Sequence, residues 1–375
     1  MASKHAIYLT TNHQLESEQP INKNVFLFNE NGKALQAKWL KKSIELNDGC
    51  FVILDHGDAI SAEIEPELIK KRYYLEHIDL SNMKNGVSIN PFDVIRDASE
   101  SHFLFLHMLY SLWDNSDPDI LAMSNLLDAF ASFLPVMFAD QTEKINMVTL
   151  NNLIHSVRAT YRDDNGNTMP MSDALFENIR DQESMPYKYY AQFKRATVDR
   201  SEEVAEKLAL AFDALNENDL EMMSVTDESL KDAFHFKTAF IIHVNSENEN
   251  HSANIMFMLL NYFAQRLVKA KTMFVIDDLN PKYNMINLPY WLKESEENEL
   301  CYIIMNNDLS EYKSTEKLEK YFKRICDGVG ASILVHQGNM NDDLNGENGD
   351  LVAKAYTATT IIPTMGINEH VQLLK

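Results

Sequence analysis

Most of the short β-rich runs in this chain are apolar at nearly every position and do not alternate polar with apolar residues. Strands of this composition are typical of a parallel sheet that helices cover on both faces. Helical segments lie between the runs, as in 252–270, where Ile255, Met258 and Leu259 follow a helical spacing. The alternation of strands and helices therefore predicts an α/β fold with a mainly parallel sheet. The predicted strands are 25–28, 51–54, 238–244, 272–276, 301–305, 332–335 and 357–362.

The middle of the chain has a different pattern. From residue 101 to residue 235 no convincing buried strand is predicted, and helical periodicity runs through 119–138, 146–160, 172–181 and 201–215. We therefore predict an all-helical domain at 101–235, inserted between a first part (1–100) and a second part (236–375) of one α/β domain. A polar turn at 162–167, rich in Asp, Asn and Gly, interrupts the predicted helices.

The 375 residues carry a formal net charge of −22. Because nucleic-acid affinity comes largely from cations that replace counterions, this bulk acidic charge argues against a generic DNA- or RNA-binding protein. It leaves room for one local basic groove, and an acidic surface also serves solubility alone. The three cysteines lie far apart and form no CxxC pair, so neither a disulfide framework nor a zinc cluster is predicted.

The two most apolar stretches, 103–113 and 126–139, are expected to be buried helices. Both are shorter than a bilayer span, and the second contains Asp128. The N-terminal residues show no apolar core of signal-peptide length. These features predict a soluble, cytoplasmic protein.

The first predicted strand opens a segment with the outline of a phosphate-binding loop: strand, polar turn, Gly32-Lys33 and a helical stretch. A working loop reads GxxxxGK[ST], in which backbone N–H groups and the Lys hold phosphates and the hydroxyl ligates magnesium. Here Leu27 stands at the first glycine position, Glu30 places a negative charge in the loop, and Ala34 replaces the hydroxyl. Nucleotide binding at Gly32 and Lys33 is therefore one hypothesis, and an ordinary loop with a lysine is the other.

A later strand ends in two carboxylates, Asp277 and Asp278. This is the outline of a Walker B strand, whose first carboxylate orients magnesium and whose second, normally Glu, activates the attacking water. Asp278 is one methylene shorter than Glu. Carboxylates at the end of a parallel strand also cap the turn that follows, which is the alternative interpretation.

The strand at 51–54 runs into Asp55-His56 and turns at Gly57. Asp55 and His56 are a candidate acid/base pair, although the sequence shows no nucleophile or third partner for them. A strand-end turn explains the same residues.

The order of these parts resembles that in the TraG-like conjugative coupling proteins of type IV secretion systems, in the form found in Gram-positive conjugative elements. The resemblance covers residues 24–365. It depends on the degenerate Gly-Lys loop, the strand ending in Asp55, the segment Ile89-Asn-Pro-Phe-Asp-Val-Ile95, the helical insertion, the strand Lys237-Thr-Ala-Phe-Ile-Ile242, and the strand ending in Asp277-Asp278.

The resemblance implies a RecA-like domain that hexamerises, with ATP and Mg²⁺ as ligands, and a helical domain that receives substrate. It assigns Lys33 to phosphate contacts, Asp277 to magnesium and Asp278 to the catalytic base. Asp55 and Asn306 are further cleft candidates, and Asn306 or Asn307 stands where the family has a sensor-like Gln.

Four departures from the family fall at positions that handle phosphate. They are the eroded Gly-Lys loop, Asp278 in place of Glu, Asn in place of the sensor Gln, and the loss of a basic residue from the Asp55-His-Gly-Asp58 turn. Together they predict that the scaffold is kept and ATP hydrolysis is lost, with no cofactor required.

Three hypotheses for function follow. The first is a non-catalytic adaptor or substrate receptor in conjugation or type IV secretion, whose partners are a coupling ATPase or a relaxase complex. The second is an active, divergent ATPase that moves DNA or protein. The third is a structural protein of a mobile element. The family's N-terminal membrane helices have no counterpart in these residues, so we expect a cytoplasmic protein held at the inner face of the membrane through its partners.

Overall fold

The computed structural model describes the following residues of the chain. They are 6–10, 13–16, 24–28, 33–57, 59–80, 87–95, 97–114, 116–162, 166–177, 179, 181, 183–228, 230, 237–244, 251–267, 271–279, 285, 288–295, 300–329, 331–337, 359–363 and 369–374. The chain divides into two compact units. The first, called the α/β unit, comprises Met1–Gly86 and Glu228–Lys375, and the second, called the helical unit, comprises Val87–Asp227.

The first part of the α/β unit alternates strands with helices. Its elements are β1 (Ala6–Thr10), β2 (His13–Glu16), β3 (Val25–Phe28), α1 (Lys33–Leu46), β4 (Cys50–His56), α2 (Ala59–Lys70) and β5 (Tyr74–Asp79). Strands β3 and β4 are buried along their whole length, as their apolar composition predicts. Strand β5 was not predicted, because only Ile78 is fully buried and its other side chains are partly or fully exposed.

The helical unit contains eight described helices. They are α3 (Pro91–Val94), α4 (Ala98–Leu112), α5 (Ile120–Met137), α6 (Met147–His155), α7 (Met171–Glu177), α8 (Met185–Thr197), α9 (Ser201–Phe212) and α10 (Glu217–Met222). Between α6 and α7, β6 (Thr160–Arg162) and β7 (Thr168–Pro170) form a short antiparallel hairpin around the polar turn. The inserted unit therefore starts before residue 101 and ends before residue 235, and its described residues include this β-hairpin beside the helices.

The second part of the α/β unit completes the sheet. Its elements are β8 (Thr238–Val244), α11 (His251–Leu267), β9 (Thr272–Ile276), α12 (Leu288–Glu294), β10 (Leu300–Asn306), α13 (Glu316–Gly328), β11 (Ala331–Gln337), β12 (Thr359–Pro363) and β13 (Glu369–Leu374). A 3₁₀ turn at Ser310–Lys313 joins β10 to α13.

Within the described residues, nine strands form one sheet in the order β12-β13-β11-β3-β10-β9-β4-β8-β5. The strands from β11 to β5 are all parallel to their neighbours, whereas β13 runs antiparallel to β11 and β12 antiparallel to β13. The prediction of a mainly parallel sheet is therefore confirmed. Because parallel strands share one direction, the carboxyl ends of β3, β10, β9, β4 and β8 lie along the same edge.

Helices pack on both faces of this sheet. On one face, side chains of α1 and α2 such as Leu40, Ile44 and Ile64 join a buried cluster with Ile53 of β4. On the other face, Phe257 of α11 meets the ring of Phe274 edge-on at 5.4 Å. Coverage of both faces explains why the strand runs are apolar without alternation.

Helix α5 is the central helix of its unit and packs against α4, α6, α8 and α9. Among the described residues it is the one helix whose 18 residues have the length and composition for a membrane span, and 61% of it is buried in the unit. The sequence stretch 126–139 predicted a helix too short to span a membrane, and that prediction is wrong, because the helix has 18 residues. Its burial is that of the core helix of a globular domain.

The Asn-Pro segment closes the helical unit where the chain enters and leaves it. The Asn90 backbone N–H donates to Thr226 Oγ1 at 2.9 Å, and the Ser88 N–H donates to Asp227 Oδ2 at 2.8 Å. The Asn90 side chain also accepts from the Phe92 N–H at 3.2 Å and so caps α3, with Pro91 as the first helical residue. This segment, which carries part of the family resemblance, therefore has a structural role.

Candidate functional site at the carboxyl edge of the sheet

Strand order brings three of the predicted site residues to one edge. Strand β10 lies between β3 and β9, and Phe28 at the end of β3 is in register with Asn306 at the end of β10. Strand β9 also pairs with β4, with Ile276 in register with Leu54. Asp277 and Asp55, each one residue further on, therefore lie on neighbouring strands, with Asn306 between Asp277 and the end of β3.

The strand and the helix that flank the Gly-Lys loop are present as predicted. Lys33 is the first residue of α1. Gly32 and the preceding loop residues lie outside the described part of the chain. The phosphate-binding roles of Gly32 and Lys33 stay a prediction.

Asp277 is fully buried and bonded to the neighbouring strand β4. Its Oδ2 accepts a hydrogen bond from the His56 backbone N–H at 3.1 Å, and its own N–H donates to Leu54 O at 2.9 Å. The His56 ring adds a short contact from Nδ1 to the carbonyl oxygen of Asp277. A carbonyl can only accept, so Nδ1 is the donor in this contact. These three contacts join the ends of β9 and β4.

Asp278 has a left-handed backbone with φ of 56° and a partly buried side chain. Asp is one of the few residues other than Gly that adopt this conformation, because its short polar side chain can bond locally. The chain turns at Asp278, and the Leu279 N–H then donates to Met305 O at 3.2 Å. The second carboxylate of the predicted Walker B pair is thus a turn residue.

Asp55 is fully buried and lies beside the start of α2. Its Oδ2 accepts from the Ser61 N–H at 2.8 Å, in the first turn of the helix. A carboxylate here satisfies a backbone donor and complements the positive end of the helix dipole. Gly57, with φ of 88°, makes the turn between β4 and α2. Asp55, His56 and Gly57 therefore have the geometry of a strand-end turn, as one of the two interpretations of the sequence predicted.

Asn306 connects β10 to the turn after β9. Its Nδ2 donates to Leu279 O at 2.6 Å, and its Oδ1 accepts from the Asp308 N–H at 2.8 Å. Tyr312 donates its hydroxyl to the same Leu279 carbonyl at 3.0 Å. Burial raises the pKa of Tyr312, so its hydroxyl stays a neutral donor.

Gln36 is the residue of this edge that the sequence did not indicate. It lies on α1 with no exposed surface, and its Nε2 donates to Asn306 O at 2.9 Å and Leu27 O at 3.4 Å. Gln36 thereby ties the helix after the Gly-Lys loop to the ends of β3 and β10. The sequence carried no signal for this role, because the burial of Gln36 is visible only in the fold.

The described residues show only part of a possible magnesium-nucleotide site, because the Gly-Lys loop lies outside them. Asp277 has no exposed surface, and its Oδ2 accepts a hydrogen bond from a backbone N–H. Ala34 offers no hydroxyl. Among the described residues, no group of three or more His, Cys, Asp or Glu side chains is placed to hold a metal.

Comparison with known proteins identifies the fold. No family model matches the chain, and no curated protein matches it in sequence. Solved structures do match. The plasmid coupling protein TrwB in complex with ADP and Mg²⁺ superposes with a TM-score of 0.61 at 14% identity, over 98% of this chain and 83% of that one.

Two other TrwB structures match similarly. The complex with a non-hydrolysable ATP analogue gives a TM-score of 0.60 at 12% identity, over 94% of this chain and 83% of that one. The unbound bacterial conjugative coupling protein TrwBΔN70 gives 0.58 at 13% identity, over 85% and 71%. The chain has the fold of the conjugative coupling proteins. The predicted fold class, a RecA-like α/β domain with a mainly parallel sheet and a helical insertion, is confirmed.

Proposed function

We propose that this protein is a non-catalytic relative of the conjugative coupling ATPases that acts as an adaptor or substrate receptor in DNA conjugation or type IV secretion. The observation that carries the proposal is the state of the carboxyl edge. In a chain with the coupling-protein fold, Asp55, Asp277 and Asn306 all bond to the protein's own backbone.

The sequence departures support the same proposal. Ala34 replaces the magnesium-binding hydroxyl and Asp278 stands where a glutamate activates water. Buried side chains that satisfy backbone groups contribute to stability, so they are retained for the fold when catalysis is lost. The function of such a chain lies in binding, and it needs no nucleotide.

The partners that fit this role are a coupling ATPase or a relaxase complex, which would hold the protein in the cytoplasm at the inner face of the membrane. The α/β unit is the part that would form a homo-oligomer, by analogy with the family. The net charge of −22 favours protein partners over generic nucleic-acid binding. Affinity purification from the native host tests this assignment. Recovery of conjugation or secretion components supports it, and recovery of mobile-element structural proteins alone contradicts it.

Thermal unfolding with excess Mg²⁺-ATP tests the loss of nucleotide binding. Binding to the native state alone raises stability by about 2.7 kcal/mol at 100 times the dissociation constant. We expect Mg²⁺-ATP to leave the Tm of the wild type unchanged, and likewise the Tm of Lys33→Ala. A rise in Tm that Lys33→Ala abolishes would overturn the non-catalytic proposal.

The second candidate is an active, divergent ATPase. It is favoured by one observation, the match to TrwB in complex with ADP and Mg²⁺. Lys33 would then contact phosphates, Asp277 would hold magnesium, and Asp278 would act as base. Hydrolysis that is lost in Asp278→Ala while Tm is unchanged would favour this candidate.

A further inference from the structure

The helical unit contains a cavity of about 460 Å³, and none of its lining residues belongs to the candidate site at the carboxyl edge of the sheet. Its volume lies in the range of sites that bind drug-sized ligands or a few residues of a peptide. The apolar part of its wall comes from Phe92, Ile95, Ala131, Pro135, Ile145 and Tyr189. All of its lining residues belong to the helical unit, so the cavity is complete within that unit.

The charged lining residues are both acidic. Asp93 and Asp97 are exposed at the cavity, and no Lys, Arg or His is among its lining residues, all of which are described. Asp97 Oδ1 accepts from the N–H groups of Ser99 and Glu100 at 2.9 and 3.0 Å. The positive end of α4 is therefore already paired with a carboxylate of the chain itself, and an incoming anion would be repelled. The chemistry of the lining favours a cation.

Two aromatic rings of the wall have fixed positions. The ring of Phe92 lies 5.3 Å from that of Phe105, and the ring of Tyr189 stacks on the His102 imidazole at 6.4 Å with an angle of 11°. His102 is held in turn by Asp128, whose Oδ2 accepts from its Nδ1 at 2.5 Å. Burial raises the pKa of the Tyr189 phenol, so the ring stays neutral. Fixed aromatic faces bind guanidinium groups, especially where carboxylates are close.

An exposed apolar surface adjoins the cavity. Pro135 lines the cavity, and the next residues of α5, Val136 and Met137, are 63% and 49% exposed. Lys144, which is next in sequence to the lining residue Ile145, lies over the Phe138 ring at 5.5 Å. A ligand that enters the cavity with a cation can therefore place apolar neighbours on the end of α5.

We propose that this cavity binds an arginine side chain of a basic segment in a protein partner, with Asp93 and Asp97 pairing the guanidinium and Phe92 and Tyr189 stacking on it. Apolar residues of the same segment pack on Val136 and Met137. Arginine fits better than lysine because its planar guanidinium both stacks on rings and bonds carboxylates with two N–H groups. This inference rests on the proposed receptor function and gives that function a binding surface.

Fluorescence anisotropy with a short labelled peptide that alternates arginine and leucine tests the inference. Its matched control is the same peptide with citrulline, which keeps the shape of arginine without the charge. We expect Asp93→Asn/Asp97→Asn to weaken binding of the arginine peptide about tenfold, which corresponds to about 1.4 kcal/mol. Asn caps helices as well as Asp does, so the double variant keeps α4 capped, and an unchanged Tm verifies this.

The control variant is Glu63→Gln/Glu65→Gln, which removes the same charge from α2 of the α/β unit. It should bind the arginine peptide like the wild type, and the citrulline peptide should bind the wild type as weakly as the arginine peptide binds the Asn variant. Equal weakening in both double variants, or equal binding of both peptides by the wild type, would overturn the inference.

Affinity purification with the same variants separates this inference from the proposed function. If transfer components co-purify equally with the wild type and Asp93→Asn/Asp97→Asn, the receptor function stands and the cavity inference fails. If no such component co-purifies while the peptide results are as expected, the cavity inference stands and the proposed function fails.

Discussion

Two pairs of aspartates, one pair in each unit, differ in their exposure to solvent. In the α/β unit, Asp55 and Asp277 have no exposed surface, and each accepts a hydrogen bond from a backbone N–H of a neighbouring element. In the helical unit, Asp93 and Asp97 are exposed beside a cavity. Asp97 accepts from backbone N–H groups as Asp55 and Asp277 do, so exposure to solvent, and not bonding to the backbone, separates the two pairs.

This difference shows that the position of an acid at a strand end does not by itself indicate catalysis. A carboxylate removed from water is costly unless hydrogen bonds compensate it, and here a backbone N–H bonds to one oxygen of each carboxylate. An exposed carboxylate has no such requirement. The predictions below test whether the strand-end residues are structural.

The largest effect is expected for Asp277→Ala. The substitution leaves the His56 N–H buried without this partner, which costs about 2–3 kcal/mol of unfolding free energy. Urea unfolding measures the loss, with exposed Asp93→Ala as the matched control that leaves stability unchanged. If Asp277→Ala were as stable as the wild type, the carboxylate would not be structural and a role in binding magnesium would gain support.

Asn306→Ala should cost about 1–2 kcal/mol, because it removes the bonds to Leu279 O and from the Asp308 N–H. The neighbouring residue provides the control. Asn307 has a side-chain oxygen without a hydrogen-bond partner within the described structure, so Asn307→Ala should be near neutral in the same urea titration. Equal losses for both variants would contradict the assignment of Asn306 as the residue that joins β10 to the turn after β9.

The helical unit also contains a buried ionisable group, His107, and its effect depends on pH. Burial lowers the pKa of His107 to about 3, so the folded protein excludes a proton that the unfolded chain binds below its ordinary value of 6.5. The unfolding free energy that neutral His107 contributes is therefore fully present above pH 6.5 and is lost as the pH falls toward 3. For a difference of one bound proton, the free energy of unfolding changes by about 1.4 kcal/mol per pH unit.

His107→Leu should remove this acid-dependent loss, as measured by urea unfolding between pH 7 and pH 4. His102 on the same helix has the opposite sign, because its hydrogen bond with Asp128 raises its pKa. Its contribution is present below pH 6.5 and is lost as the pH rises through the folded pKa, and His107→Leu should leave it unchanged. An unaltered acid limb in His107→Leu would show that another group causes the acid sensitivity.

The smallest effect is expected for Asp278→Gly. Glycine adopts the left-handed conformation without steric cost but loses more chain entropy on folding, so the substitution should change stability by less than about 0.5 kcal/mol if Asp278 is only a turn residue. Gly57→Ala is the reciprocal variant, since an added Cβ meets no atom within 4 Å and the cost is conformational alone. A loss of stability in Asp278→Gly would indicate that the Asp278 carboxylate has a partner that matters.

The sequence predicted the buried strands well. Strands β8 and β9 have the predicted bounds, 238–244 and 272–276, because residues buried on both faces leave an unbroken apolar run. Strand β5 was missed because it is an edge strand with exposed residues such as Tyr74. The β6–β7 hairpin was visible only as its polar turn, since three-residue strands are too short for a periodicity.

For the candidate site, the sequence identified Asp55, Asp277 and Asn306 but not what they bond. Their location followed from the rule that parallel strands end at one edge. Their hydrogen-bond partners could not be predicted from the sequence. The N–H group that donates to Asp277 belongs to His56, 221 residues earlier, and the side chain that donates to Asn306 O belongs to Gln36.

The sequence by itself determined the α/β fold and the helical insertion, because burial on two faces and helical amphipathicity both leave periodic patterns in local residue order. Only the tertiary structure decided that the strand-end acids are buried and bonded to the backbone while two helical-unit acids line a cavity. That difference depends on burial and on partners distant in sequence, which no local pattern records.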